Sequence, residues 1–149
     1  MNWPTRTGKF LTLLGIVPFI IASFFAYKQA GEQLWPILVV LVSTYTALIV
    51  TFIAGSQWGV TRFHADKPCT FVLILTNVST LLAWVGILFP SWVISWLILV
   101  VCLWLVLAVD YRLFKKGIWP KAYMTLRFLT TLIVNVCFVV MFYFGLQYF

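Results

Sequence analysis

Very few side chains in this sequence could carry chemistry. His64 is the only histidine, and it sits beside Asp66 and Lys67 in a short polar segment. The acids are Glu32, Asp66 and Asp110, and the cysteines are Cys69, Cys102 and Cys137. General acid–base catalysis needs a titratable group held within hydrogen-bond reach of the proton it moves, and no spacing here sets up such a pair. There is no Ser/His/Asp set, no HExxH, no glycine-rich phosphate loop and no pair of carboxylates within an apolar run. His64 reads as a solvated loop histidine, because a haem held between helices calls for a buried axial ligand. The cysteines are odd in number and form no CxxC pair, so they define neither a disulfide framework nor a metal site and are expected to pack as small hydrophobes. The expectation is a protein that is not an enzyme and holds no metal or cofactor. An enzyme would have to run on Asp110, His64 or Cys69.

A second group of residues stands out by position. Gly55-Ser56-Gln57-Trp58-Gly59 closes an apolar run, with Gly55 and Gly59 four apart on one helical face and Arg62 and Asp66 continuing that stripe. Small residues at this spacing let another helix approach closely, or leave backbone open to a ligand or ion. Asn77 and Thr80 lie within a later apolar run, with Trp84 on roughly the same face. Arg127, Thr131 and Asn135 repeat at intervals of four in the last run, and Asp110 ends the run before it. With so few acids, Asp110 is the expected ion-pair partner of Arg62 or Arg127. This cluster is either a structural clamp between helices or a pocket for an anionic headgroup or small solute, a role that the flat, permanently charged guanidinium suits.

The elements that position these residues follow from composition. Of 149 residues, 64% are hydrophobic and 9% charged, against roughly a quarter charged in a soluble domain. A helix rises about 1.5 Å per residue, so crossing about 30 Å of hydrocarbon takes ~20 apolar residues. Five such spans fit, at about 10–27, 37–61, 70–89, 92–110 and 123–147. Runs such as Ile37-Leu38-Val39-Val40-Leu41-Val42 lack the alternation of a β-barrel strand. The fold class is therefore all-α, a single transmembrane bundle in which each segment satisfies its own backbone. The first run, despite the basic Arg6 and Lys9 before it, is a retained span rather than a signal peptide, given its length and its mid-run Pro18. Pro36 opens the second helix. The tight Pro90-Ser91 break makes the third and fourth spans antiparallel neighbours.

Charge orients the spans. With alternate loops on alternate sides, nine basic residues (Arg6, Lys9, Arg62, Lys67, Arg112, Lys115, Lys116, Lys121 and Arg127) fall on one side and only Lys28 on the other. Basic residues stay cytoplasmic, so the N-terminus is expected inside and the C-terminus opposite. Trp3, Trp35, Trp92, Tyr111, Trp119, Tyr123 and Tyr148 are expected at the headgroup level. The net charge of +7 needs no nucleic-acid partner; it reflects topology and attraction to anionic lipid near Arg112, Lys115, Lys116 and Lys121.

Phe52-Ile53-Ala54-Gly55-Ser56-Gln57-Trp58-Gly59 resembles the second-span segment of a family of small bacterial membrane proteins of unknown function that includes mitochondrial transmembrane protein 69. Ser79-Thr80-Leu81-Leu82-Ala83-Trp84 resembles its third span. Asp110, Trp119-Pro120, Tyr123, Leu126-Arg127 and Leu129-Thr130 resemble its fourth-to-fifth connection. The chain departs from that pattern at Ala54, where a glycine is expected, and at Val78-Ser79-Thr80, where a Ser and Pro often stand, so its third helix should lack a kink. The resemblance implies five helices in a bacterial or mitochondrial inner membrane, draws attention to Gly55, Trp58, Gly59, Asp110, Trp119, Pro120 and Arg127, and carries no activity. The absence of an Arg-rich, Ser-rich presequence before Phe10 points to the bacterial inner membrane.

Two functions fit. One is a non-enzymatic accessory, assembly or lipid-binding bundle whose partners are lipids, other membrane proteins or itself. The other is a small oligomeric transporter or channel with the Arg62, Asp110 and Arg127 cluster at the cytoplasmic ends of helices two, four and five. Five spans cannot be halved into inverted repeats, which removes the usual symmetric transporter plan.

Overall fold

The computed structural model describes residues 6–28, 34–63 and 70–147. Trp3, Glu32, His64, Asp66, Lys67, Cys69 and Tyr148 lie outside them, and so do the expectations placed on His64, Asp66 and Cys69. Within the described residues all regular structure is helical: α1 (Arg6–Leu14), α2 (Val17–Tyr27), α3 (Trp35–Phe63), α4 (Thr70–Leu88), α5 (Trp92–Lys115) and α6 (Lys121–Gly145). Because α1 and α2 form one 22-residue segment, these helices make five spans, each long and apolar enough to cross a membrane. Their outward faces are apolar as well: Phe52 is 76% exposed, Val139 67% and Leu48 66%. Faces of that kind are unfavourable in water and at home in hydrocarbon.

Two boundaries differ from expectation, each for a local reason. The first span is not one helix from 10 to 27. It begins at Arg6 and breaks at Gly15-Ile16, where Ile16 N–H turns back to the Leu13 carbonyl at 3.0 Å. Pro18, the second residue of α2, has no N–H to offer and its ring crowds the carbonyl of Leu14, so the ladder cannot run through. The fourth span does not end at Asp110. α5 continues through Arg112 to Lys115, because long basic side chains can reach the headgroups from a helix that is still buried. Its end is a glycine cap: Gly117 adopts φ +73°, with Gly117 N–H bonded to the Phe114 carbonyl at 2.9 Å and Ile118 N–H to Leu113 at 3.0 Å. α4 is a single helix from Thr70 to Leu88.

The chain forms two compact units, Met1–Val42 with Trp119–Phe149, and Ser43–Ile118. In the first, α2 packs along α6. Phe19 meets Phe138 with ring centroids 6.0 Å apart, and Tyr27 meets Phe144 edge-on at 5.5 Å. Between them, Ser23 Oγ donates to the carbonyls of Phe19 at 2.8 Å and Cys137 at 3.3 Å. The two ring contacts advance together along both helices, Phe19 to Tyr27 and Phe138 to Phe144, so the first and last spans run parallel.

In the second unit, α4 and α5 are the expected antiparallel neighbours. Gly86 lies against Ile98 near the turn, and Arg112 stacks on Phe71 at 4.2 Å at the far end. The inward face of α4 is Val72, Thr76, Ser79, Ala83 and Gly86, all buried and mostly small. A Cβ at Gly86 would come 3.1 Å from Ile98 Cγ2, whereas one at Gly55 or Gly59 would meet nothing within 4 Å. Close approach at a glycine is therefore found at Gly86, whereas a side chain at Gly55 or Gly59 would have open space. Gly86→Leu should lower the unfolding free energy in detergent by ~1–3 kcal/mol through overpacking, while Gly55→Leu leaves it unchanged or raises it; equal effects at both sites would contradict this packing.

Candidate functional site

In the second unit, Ser43 and Gln57 of α3 reach polar groups of α5. One face of α3 is buried at Ser43, Thr46, Val50, Ile53, Gln57 and Thr61, and one face of α5 at Leu99, Leu103, Val106, Asp110 and Leu113. Those intervals of three and four put each set on one face of its helix. Gln57 and Asp110 are both 0% exposed. The Gln57 side chain crosses to α5, where Nε2 donates to the Val106 carbonyl at 2.7 Å and to Asp110 Oδ1 at 2.9 Å. Two acceptors facing one amide require its NH₂ edge there, which leaves Oε1 pointing elsewhere. Oε1 is buried and has no hydrogen-bond partner in the structure.

A second knot lies some fourteen residues back along α3. The buried Trp96 indole donates to Ser43 Oγ at 3.0 Å, and the Ser43 and Ser95 hydroxyls are 3.4 Å apart. Ser43 faces Ser95 and Gln57 faces Asp110, so α3 and α5 run parallel, bonded at two levels about 20 Å apart. Ser43, Ser95 and Trp96 were not picked out from sequence. Their only signal was a pair of small hydroxyls within apolar runs, which usually bond to their own helix, as Thr51 does to Ala47 and Ser79 to Leu75.

α3 meets Asp110 through Gln57 and not through Arg62, which is exposed and lies over the Trp58 ring at 5.5 Å. Asn77 and Trp84 are exposed on α4, where Asn77 Nδ2 bonds to the Leu73 carbonyl of its own helix at 2.7 Å. Arg127 and Asn135 lie on α6 in the first unit, Asn135 Nδ2 donating to the Thr131 carbonyl at 2.7 Å. Trp119 stacks on Tyr123 at 4.4 Å with its indole N–H buried and without a hydrogen-bond partner. Of the expected interface aromatics, Trp35 and Tyr123 are buried, at 3% and 8% exposed. Both open a helix on its buried face. Cys102 and Cys137 are buried and free. Among the described residues no three His, Cys, Asp or Glu side chains gather as a metal site would require.

Chemically, the Gln57–Asp110 junction is a hydrogen-bonded clamp with one spare acceptor. Gln57→Leu removes the donor to a buried carboxylate and should cost ~1–3 kcal/mol of unfolding free energy. Ser56→Ala, whose hydroxyl is bonded only to the Ile53 carbonyl of its own helix, should cost under about 0.5 kcal/mol; a neutral Gln57→Leu would contradict the assignment.

No curated protein and no solved structure matches the chain. One family does, over residues 4–143, from ahead of the first span to within the last. The chain belongs to the family described as "Protein of unknown function (DUF3429)".

Proposed function

We propose that this is a multi-pass inner-membrane protein, N-terminus in the cytoplasm and C-terminus opposite, that acts by binding rather than by catalysis. The observation that carries this reading is the Gln57 amide, whose two donors go to Val106 and Asp110 on α5. The junction therefore serves first to hold helices together. Orientation rests on the nine-to-one distribution of Lys and Arg across alternate loops, and the proposed setting is the bacterial inner membrane. Kinship with mitochondrial transmembrane protein 69 is part of this proposal, on the short motifs around Gly55–Gly59 and Trp119–Pro120 that resemble the family taken to include it.

Binding partners of two kinds fit. The first is anionic lipid: Arg112, Lys115, Lys116 and Lys121 fall within ten residues, and Arg112 and Lys115 lie over Phe71 and Tyr111 at 4.2 and 5.0 Å. Cations braced on aromatic faces at the ends of apolar helices suit the headgroup layer. The second is a membrane protein, another subunit in an accessory or assembly role, since most of the chain's surface would lie within the bilayer. The alternative, a small oligomeric transporter or channel, is favoured by one observation, the buried Gln57 Oε1 without a donor, where a passing water or solute would find an acceptor.

Purification in mild detergent followed by native mass spectrometry should find anionic phospholipid or a second polypeptide retained with the chain. A clean, lipid-free monomer would contradict the binding reading. Solute flux into proteoliposomes that is lost on Gln57→Leu would replace it with the transport reading.

A further inference from the structure

α4 has a second seam, exposed among the described residues. Opposite its buried face, Thr70, Ile74, Asn77, Leu81, Trp84 and Leu88 recur at intervals of four and three, and all six are exposed. That is the heptad spacing along which two helices wind together. Asn77 lies near its middle. A primary amide has two donor hydrogens and a carbonyl acceptor, and Asn77 satisfies only one donor, by its bond to Leu73. In hydrocarbon the remaining N–H and Oδ1 are costly unless another polar group comes to them at the same depth.

From this we infer that α4 is a homodimer seam, in which Asn77 pairs with Asn77 of the partner subunit. The amide is self-complementary: each Oδ1 accepts the free N–H of the other, so a two-fold axis along the membrane normal satisfies both at once. Copies inserted in one orientation necessarily bring the two amides to one depth, a point that rests on reading α4 as a membrane span. Charge agrees. In a chain of net charge +7, α4 alone among the five spans carries no charged residue, so two copies meet along it without like-charge repulsion. A single polar residue in an apolar heptad seam is also the device that fixes register and copy number in coiled coils.

The test is oxidative cross-linking in native membranes, with Cys69, Cys102 and Cys137 replaced by alanine and a single cysteine added. Leu81→Cys, on the seam, should give a covalent dimer; Leu82→Cys, one residue round the helix, should not. Adding Asn77→Leu should weaken the dimer about tenfold, and Asn77→Gln should largely restore it. Because Asn77 is exposed, its replacement by leucine leaves the fold intact, which unchanged thermal unfolding would verify. Equal cross-linking at both positions, or none at Leu81→Cys in protein that is fully membrane-embedded, would overturn the dimer, leaving lipid or another protein on the seam. Protein recovered from the soluble fraction would instead overturn the membrane reading on which the inference stands.

Discussion

Hydrocarbon cannot hydrogen-bond, so every polar group that enters it must bring its partner along. For backbone groups the helix meets this demand. For side chains the simplest answer is to bond to the carbonyl one turn back, as Thr12, Thr51, Thr76, Ser79 and Thr80 do. Those residues are silent between helices. Gln57 and Asp110 have more hydrogen-bonding capacity than one helix can absorb, and they are what ties α3 to α5 at that level.

The same constraint ranks the remaining polar residues. Where an amide is enclosed, it cross-links helices of this chain; where it faces outward, as at Asn77, it asks for something outside the chain. Small side chains act in a complementary way. Ser79, Ala83 and Gly86 let α5 come close to α4, so that dispersion replaces the hydrophobic drive that lipid does not supply. The apolar Leu, Phe and Val side chains of the outer faces hold no information about partners, which is why the polar exceptions carry the functional argument.

The spans were legible in the sequence because hydropathy sums over some twenty residues and tolerates local error. The direction of neighbouring helices was legible for the same reason, given the tight Pro90-Ser91 turn. Depth was not. Asp110 followed by Arg112, Lys115 and Lys116 reads as a loop, yet the helix runs on beneath them, and the acid ends up fully buried. Packing faces were not legible either. Gly55 and Gly59 form the more conspicuous pattern, but what decides contact is the neighbour, and Ile98 lies at Gly86. Gln57 was visible only as part of that glycine motif; its reach to α5 depends on the register between two spans that no local pattern sets.

The account turns on a direct bond between Gln57 and Asp110. A double-mutant cycle of Gln57→Leu and Asp110→Leu, read as unfolding free energy in detergent micelles, measures that bond apart from everything else each residue does. The account predicts a coupling between roughly 0.5 and 3 kcal/mol, the double variant losing less than the two single losses combined. Strictly additive losses would mean that the two side chains do not hold each other, and the clamp would have to be sought elsewhere.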